Sequence, residues 1–254
     1  MRFLLILSLF LLACNKNPKQ KFEKTIDGFL VKGHVINKTI YDDTFYYYDS
    51  NGYLARKDFF RFGKLNGPSI DFFTNGMPSM IINYTEGLRN GVTSYFDTSG
   101  RCYYQDYYYY DLVTGPIIYF EKNQEPKSYY FANLQNETIF TIDYKNWKGI
   151  ENVVEKCINY TVNEQMRDTA LENQVLIYLI RPPKFIFDYQ LVKKNRIKNE
   201  ELSVSTDLST NLPFMNLALP SPKENEYYSV KLSIYDSILK KKTIIYKDIW
   251  KELF

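Results

Sequence analysis

The side chains that most often catalyse reactions are scarce in this chain, and their spacing assembles no known catalytic site. Its 254 residues include one histidine, His34. A serine triad would have to use this histidine, and no Gly-x-Ser-x-Gly turn for a nucleophile accompanies it. Paired carboxylates at 42–43 and 200–201 could in principle hydrolyse glycosides, but adjacent acids point in different directions. We therefore predict a protein that is not an enzyme and, with so few ligands, holds no metal or other cofactor.

Tyrosine is the residue type with the greatest potential for binding. The chain has 24 tyrosines and 18 phenylalanines, and six tyrosines lie within residues 103–110. On a strand their rings point to both faces. Exposed rings can anchor a protein partner or stack on sugars, whereas the favoured alternative for this run is cross-strand packing. The tyrosines predicted to form a binding surface are Tyr47, Tyr95, Tyr107, Tyr109 and Tyr119.

Residues 1–13 have the pattern of a secretory signal. Arg2 precedes an almost unbroken apolar run at 3–12, about half the length that a membrane-spanning helix needs. The run ends in Leu-Leu-Ala-Cys at 11–14, which resembles the lipobox of bacterial lipoproteins. The resemblance implies cleavage before Cys14 and acylation of that cysteine; the alternative is an ordinary secretory signal with a chance cysteine. Polar, lysine-rich residues up to 24 complete a predicted flexible tether, 14–24.

A lipid anchor would hold the mature protein at a membrane of the bacterial envelope. Each buried methylene group contributes about 0.8 kcal/mol, so more than one acyl chain anchors firmly. No later segment approaches about twenty apolar residues, and we expect no membrane-spanning segment. The basic residues that follow Cys14 favour a periplasm-facing protein.

Charge and cysteine content limit the partners further. The formal net charge is +3, too small to indicate a nucleic-acid partner. Lysine clusters at 193–198 and 240–242 are interpreted as solvated hairpin turns. An oxidising compartment would permit a disulfide between Cys102 and Cys157, but two unpaired buried thiols are the favoured alternative.

A period of 24 residues runs through the first half of the chain. Glycines recur at Gly67, Gly91 and Gly115, and Asn-Gly or Ser-Gly pairs recur at 51–52, 75–76 and 99–100. Asn-Gly is typical of tight two-residue turns in which both residues have positive φ. Each unit is therefore predicted to be a β-hairpin, and successive units a long antiparallel meander.

Alternation along these strands predicts two different faces. One should be a packed apolar ladder of Tyr46, Tyr48, Ile70, Phe72, Ser94, Phe96, Ile118, Phe120, Ile142 and Tyr144. The other is more mixed and should be partly wet, with Asp71, Tyr95, Tyr119 and Asp143.

The repeat resembles the MORN type. The fragments that carry the resemblance are GKLNGP at 63–68, FFTNG at 72–76, GLRNG at 87–91, YFDTSG at 95–100, TGP at 114–116 and YFE at 119–121. It covers roughly residues 40–145 and is most similar to the repeat region of bacterial proteins labelled YwqK-type antitoxins. The resemblance implies an elongated sheet used for binding or spacing, and it implies no reaction.

Beyond about residue 147 the period ends and irregular short strands follow. Strands are predicted at 175–180, 185–192, 227–235 and 243–246, with weaker candidates at 202–204 and 214–219. The predicted fold class is all-β: a repeat sheet over 25–147, followed by a small β-sandwich over 148–254.

Three functional classes fit these features. The preferred one is a non-enzymatic envelope lipoprotein that binds or scaffolds an envelope protein through its repeat sheet. A glycan-binding lipoprotein would require exposed, coplanar tyrosines in a groove. A hydrolase would require a deep pocket in the C-terminal part, joining acids from different strands.

Overall fold

A computed structural model describes residues 18–146, 157–167, 170–198, 200–208, 212–220, 223–236 and 241–249. Cys14, the predicted signal and the start of the predicted tether lie outside these residues. Within them the chain is all-β and contains no α-helix, which confirms the predicted fold class. None of this described part forms a helix long and apolar enough to cross a membrane.

The N-terminal half forms one antiparallel sheet, called the repeat sheet here. Its long strands, in spatial order, are β1 (Gln20–Ile26), β2 (Phe29–Ile36), β4 (Asp43–Tyr48), β5 (Leu54–Arg61), β7 (Gly67–Phe72), β8 (Pro78–Thr85), β10 (Gly91–Phe96), β11 (Cys102–Tyr109), β13 (Gly115–Phe120), β14 (Pro126–Ala132) and β15 (Thr138–Asp143). Four short strands each pair with the long strand before them: β3 (Ile40–Tyr41), β6 (Lys64–Leu65), β9 (Leu88–Arg89) and β12 (Leu112–Val113). A 3-10 turn at Tyr144–Asn146 follows the last strand. The sheet is the predicted meander.

The repeat sheet begins earlier in the chain than the sequence predicted. Strand β1 starts at Gln20, inside the segment interpreted as a tether over 14–24. The half-buried Phe22 and Ile26 of this strand lie among exposed polar and charged residues. The ring of Phe22 packs 5.7 Å from that of Phe45, so two apolar side chains suffice to hold a lysine-rich edge strand on the sheet.

The turns differ from the prediction in kind. Around Asn75–Gly76 the loop has three residues: the amide of Gly76 donates to Phe73 O at 2.9 Å, and the amide of Phe73 donates to Met77 O at 2.8 Å. Only the glycine has a positive φ, of 81°. The predicted two-residue turn at this position is therefore wrong, and a three-residue loop with a left-handed glycine replaces it.

Two-residue turns occur at the opposite margin of the sheet, where both residues have positive φ. They lie at Phe62–Gly63, Glu86–Gly87 and Tyr110–Asp111. Each of these tips donates a backbone hydrogen bond to the preceding unit. The bonds run from Gly63 to Tyr41 O, from Gly87 to Leu65 O and from Asp111 to Arg89 O, at 2.7, 2.8 and 2.9 Å. Successive units are thus joined in one register.

The strand register confirms which residues make up the two predicted rows. In the middle of the sheet, however, the row expected to be packed is only half-buried, and nearly buried side chains lie on the face expected to be partly wet. Asp71, Tyr95 and Tyr119 lie on one face, called the tyrosine face here, in a cross-strand row completed by Met80 and Tyr104. Four polar residues of these middle strands are nearly buried and lie on that same face: Asp58, Ser69, Thr93 and Asp106. Tyr107 of β11 is nearly buried on the other face. The predicted apolar ladder is only half-buried there, for example at Ile70 and Phe96. In a single layer, the long tyrosine and arginine side chains cover the short polar ones beside them.

Two further sheets follow the repeat sheet. One consists of β16 (Ile158–Arg167), β17 (Ala170–Leu179) and β20 (Phe214–Pro220), and the other, in spatial order, of β19 (Glu201–Asp207), β18 (Phe185–Asn195), β21 (Glu226–Asp236) and β22 (Lys241–Asp248). Val175 and Ile177 of the first sheet and Leu232 and Ile234 of the second share one hydrophobic core. All four strands predicted with most support fall within β17, β18, β21 and β22.

The core does not stop at the predicted boundary near residue 147. Tyr129, Phe131, Phe140 and Ile142, on the last two strands of the repeat sheet, are buried in the same cluster as the C-terminal sheets. The apolar ladder is therefore fully packed at this end, because the C-terminal sheets cover it.

Candidate binding surface: the tyrosine face

A row of tyrosine rings crosses four neighbouring strands on the tyrosine face. Tyr104 on β11 pairs directly with Tyr95 on β10 and with Tyr119 on β13, and Tyr130 on β14 extends the row. Successive ring centroids are 5.2, 4.8 and 6.0 Å apart. Tyr119 is the most exposed residue of the row, at 43%. The row offers a continuous aromatic surface with phenol groups along it.

The rings are tilted against one another rather than coplanar. Their planes make angles of 46°, 49° and 81° along the row. A sugar that stacks on several rings needs them in one plane, whereas a protein side chain can fit between tilted rings. The geometry favours a protein ligand over a glycan.

A buried carboxylate supports the row from below. Asp106 is 5% exposed; the Tyr104 hydroxyl donates to its Oδ2 at 3.3 Å, and Tyr108 also hydrogen-bonds to it. Burial raises the pKa of Asp106, while both tyrosine hydrogen bonds and the charge of Arg89 oppose the rise. Burial, with the charge of Asp106, raises the pKa of Tyr95 to about 12. Burial also raises the pKa of Tyr104, so Tyr95 and Tyr104 are neutral hydrogen-bond donors at physiological pH.

Thr93, 1% exposed, pairs across the strands with Asp106. Its hydroxyl and Asp106 Oδ1 have no hydrogen-bond partner among the described residues. Beside them, the guanidinium of Arg89 lies 4.1 Å from the centroid of the Tyr108 ring and pairs with Asp111 at 2.9 Å. The contacts of Arg89 fix the position of side chains that lie beneath the tyrosine row.

A second polar cluster lies on the same face, nearer the N-terminus. Ser69 Oγ donates to Asp58 Oδ1 at 2.5 Å. The guanidinium of Arg56 binds both carboxylate oxygens of Asp71, with Nη2 at 2.9 Å from Oδ2. Burial, followed by the charge of Asp58 and a hydrogen bond to it, raises the pKa of Tyr47 well above its usual value. Asp58 and Asp106 are 48 residues apart, so the two clusters are related by two periods of the repeat.

The structure brings together only some of the predicted binding tyrosines. Tyr47, Tyr95 and Tyr119 lie on the tyrosine face. Tyr107 is nearly buried on the opposite face, and the Tyr109 ring packs against Phe214 at 4.8 Å. The grouping of Tyr107 and Tyr109 with the other three fails because each is an odd number of residues from Tyr104, and side chains alternate along a strand.

Sequence reasoning missed four residues of the surface: Arg56, Asp58, Tyr104 and Asp106. A signal for them exists in the period itself. Once Tyr95 and Tyr119 are placed in one row, the register of the strand between theirs, β11, fixes the residue that lies between them. Extending the register to every strand would have identified Tyr104.

The other candidate groups are engaged in local contacts. His34 is half-buried on β2, opposite Lys21. Lys19 Nζ lies 3.1 and 3.2 Å from the carboxylates of Asp42 and Asp43. Glu201 accepts a hydrogen bond from Tyr246 at 2.6 Å and pairs with Lys231 at 3.0 Å. Within the described ranges, no three His, Cys, Asp or Glu side chains form a group that could hold a metal.

Cys102 and Cys157 form no disulfide with each other, which agrees with the alternative favoured from the sequence. Cys157 is buried and Cys102 is half-buried. Burial raises the pKa of the Cys157 thiol to about 12, so this sulfur is not a thiolate at neutral pH and has no nucleophilic character there.

A cavity of about 690 Å³ lies where the two C-terminal sheets meet the repeat sheet. The cavity is lined by Ile139, Ile158, Asn159, Ile244, Ile245, Tyr246 and Lys247. None of these lining residues carries a carboxylate. The arrangement of two acids that a glycoside hydrolase uses is not built from them.

Comparisons with known proteins give no information about the tyrosine face. No protein-family model matches the chain, and a search of curated proteins gives no significant match. The face presents aromatic area, phenol donors and fixed charges, groups that can recognise another molecule.

Proposed function

We propose that this protein is a lipid-anchored lipoprotein of the bacterial envelope that acts as a non-enzymatic binding or scaffolding module. Its contact surface for an envelope protein is the row formed by Tyr95, Tyr104 and Tyr119. The row carries the proposal. The lipobox-like sequence that ends at Cys14 supports the anchor, and the resemblance of the repeat to the MORN type supports the binding role.

Tyrosine suits this role because of its energetics. Its large rigid ring buries much apolar area and loses little side-chain entropy on binding, so tyrosines are over-represented among the residues that dominate interface affinity. Here the rings already contact one another, and the hydroxyl of Tyr104 is held by Asp106. The surface is therefore ordered before a partner arrives.

The experiment is a pull-down from detergent-solubilised envelope with the full-length protein purified from membranes. We expect a saturable protein partner whose retention falls by about tenfold or more in the variant Tyr95→Ser with Tyr119→Ser, because truncating interface anchors costs about 2 kcal/mol or more. The matched control is Tyr103→Ser, since Tyr103 is 50% exposed, against 43% for Tyr119, but has no ring contact with the row among the described residues.

Purified wall polysaccharide is tested in parallel on the same proteins. Retention of polysaccharide without a protein partner would replace this proposal with glycan binding. Equal loss of the partner in the Tyr103→Ser control would show that the row is not the contact surface.

A further inference from the structure

A cavity of about 360 Å³ opens on the tyrosine face next to the second polar cluster. Its lining residues are Ile26, Asp27, Phe29, Tyr47, Ala55, Arg56, Asp58 and Asp71. They come from the β1–β2 hairpin and from strands β4, β5 and β7. This volume lies at the lower end of the range of ligand pockets, about 300–1,000 Å³, and suits one side chain of a partner.

The charges that line the cavity do not balance. Three carboxylates, of Asp27, Asp58 and Asp71, face one guanidinium, that of Arg56, which leaves a formal charge of −2. Arg56 is committed to Asp71, whose two oxygens it binds. Lys24, on the same hairpin as Asp27, is exposed and does not line the cavity. The negative charge of Asp27 and Asp58 therefore lacks a basic counterpart in the lining.

Apolar surface accompanies this charge. Ile26, Phe29 and Ala55 contribute apolar side chains to the lining, and Tyr47 contributes an aromatic one. A lysine or arginine side chain has the matching construction, a long apolar stem that ends in a cationic head. Cations also bind to the faces of tyrosine and phenylalanine rings.

We propose that this cavity receives a lysine or arginine side chain of the protein that the tyrosine row contacts. The proposal rests on the proposed function and specifies the chemistry of its partner. An anionic group would be repelled by the carboxylates, and a neutral polar group would leave their charge unpaired.

The cavity and the tyrosine row form one surface. Asp71 at the rim of the cavity is separated from Tyr95 only by Met80, each pairing directly with Met80 across the strands. Two strand spacings amount to about 10 Å. An extended segment of the partner covers this distance in about three residues, at about 3.3 Å each. Because side chains alternate along an extended segment, only residues an even number of positions apart face the same surface, so the partner should carry a basic residue two or four positions from the residue that packs on Tyr95.

The first test uses two small probes, N-acetyl-arginine methylamide and its citrulline counterpart, which has nearly the same shape without the charge. The full-length protein in detergent is titrated with each while the amide NMR signals of Asp27, Phe29 and Ala55 are followed. We expect saturable shifts with the arginine probe and about tenfold weaker binding of the citrulline probe, because only the arginine probe forms charge-assisted hydrogen bonds with the carboxylates. Equal binding of both probes would overturn the proposal.

Variants assign the binding to the cavity. Asp27→Asn removes an exposed carboxylate at the turn, so it preserves the fold and should weaken the arginine probe severalfold; Asp58→Asn should weaken it further. Glu23→Gln, on the same hairpin but outside the lining, is the control and should leave binding unchanged. Unaltered affinity in Asp27→Asn and Asp58→Asn would rule out the cavity as the site.

The two proposals fail in distinguishable ways. If the pull-down partner is lost on substitution of Tyr95 and Tyr119 but is retained by Asp27→Asn with Asp58→Asn, the binding function stands and the cavity is not its basic-residue pocket. If the arginine probe binds at the cavity but no partner depends on the tyrosine row, the proposed function is wrong, and with it the assignment of this side chain to such a partner.

Discussion

Two aspartates buried beneath tyrosines define the chemistry of the tyrosine face at the scale of single residues. Asp58 and Asp106 are each only 5% exposed. Burying a carboxylate is unfavourable unless it accepts hydrogen bonds, and here serine or tyrosine hydroxyls supply them. At Asp106, whose pKa is raised by burial, this makes the stability of the sheet depend on pH.

Asp106 should destabilise the fold as it ionises. Its pKa is raised above 3.8, chiefly by burial, so the folded protein holds this proton more tightly than the unfolded chain does. The folded state therefore loses stability as pH rises through this raised pKa. We expect the free energy of unfolding of Asp106→Asn, relative to the unsubstituted protein, to increase between about pH 4 and about pH 7 in urea titrations.

Asp97 provides a control of opposite sign. Its pKa is lowered, first by the hydrogen bond from Ser99. Its charged form therefore stabilises the fold above pH 3.8, and that stability is lost as pH falls through the lowered pKa. Asp97→Asn should be less stable than the unsubstituted protein at neutral pH, with the difference shrinking in acid. The same pH trend in both variants would contradict the assignment of the effect to Asp106.

At the scale of elements, the 24-residue period determines where strands lie but not how they turn. Asn75–Gly76 matched a two-residue turn by composition, yet its strands are closed by a three-residue loop in which Asn75 Oδ1 accepts a hydrogen bond from the amide of Met77. The two-residue tips contain Phe62 and Glu86, residue types seldom found at positive φ. Their conformation is imposed by bonds to neighbouring units, and a local sequence pattern cannot reveal such bonds.

Gly76→Ala tests the three-residue loop. Gly76 has a φ of 81°, and a Cβ added there would meet nothing within 4 Å. The substitution therefore adds backbone strain without a steric clash, and we expect a loss of about 1 kcal/mol in the free energy of unfolding, measured by urea titration. Asn75→Ala, which keeps the glycine but removes the side-chain acceptor, should cost less. A neutral Gly76→Ala would show that this loop does not require the left-handed conformation.

The candidate site, too, could be predicted from the sequence only in part, because contacts between strands are not visible in a local sequence pattern. Alternation placed Tyr95 and Tyr119 correctly, because they lie at equivalent positions of two units. It could not separate Tyr107 from them without the register of β11. Nor could it predict the burial of Asp106, which depends on side chains contributed by neighbouring strands.

At the scale of the whole molecule, the repeat sheet and the C-terminal sheets share one core. Gly115 at the start of β13 lies so close to Pro213 that an added Cβ would come within 2.7 Å of it. The hydroxyl of Tyr144 donates to Pro183 O at 3.0 Å, and Lys184 forms an ion pair with Glu125. The change of sequence pattern near residue 147 marks the end of the repeat but not a boundary in packing.

Ile142→Ala should therefore destabilise both parts at once. Ile142 is buried on β15 within the shared core, and removal of such a side chain typically costs about 2–5 kcal/mol. We expect amide hydrogen exchange to accelerate in β17 and β21 as well as in β14. Ile70→Ala, on the half-buried part of the same ladder, is the matched control and should cost less. Faster exchange confined to the repeat sheet would show that the two parts unfold independently.

The backbone bonds between successive tips also bear on how such a protein can change in evolution. Because each tip is bonded to the unit before it, a duplicated or deleted segment of 24 residues preserves every register, whereas a change by an odd number of residues within a strand moves side chains from one face to the other. One unit adds two long strands, or about 10 Å. The span of this surface can therefore grow or shrink only in steps of one hairpin.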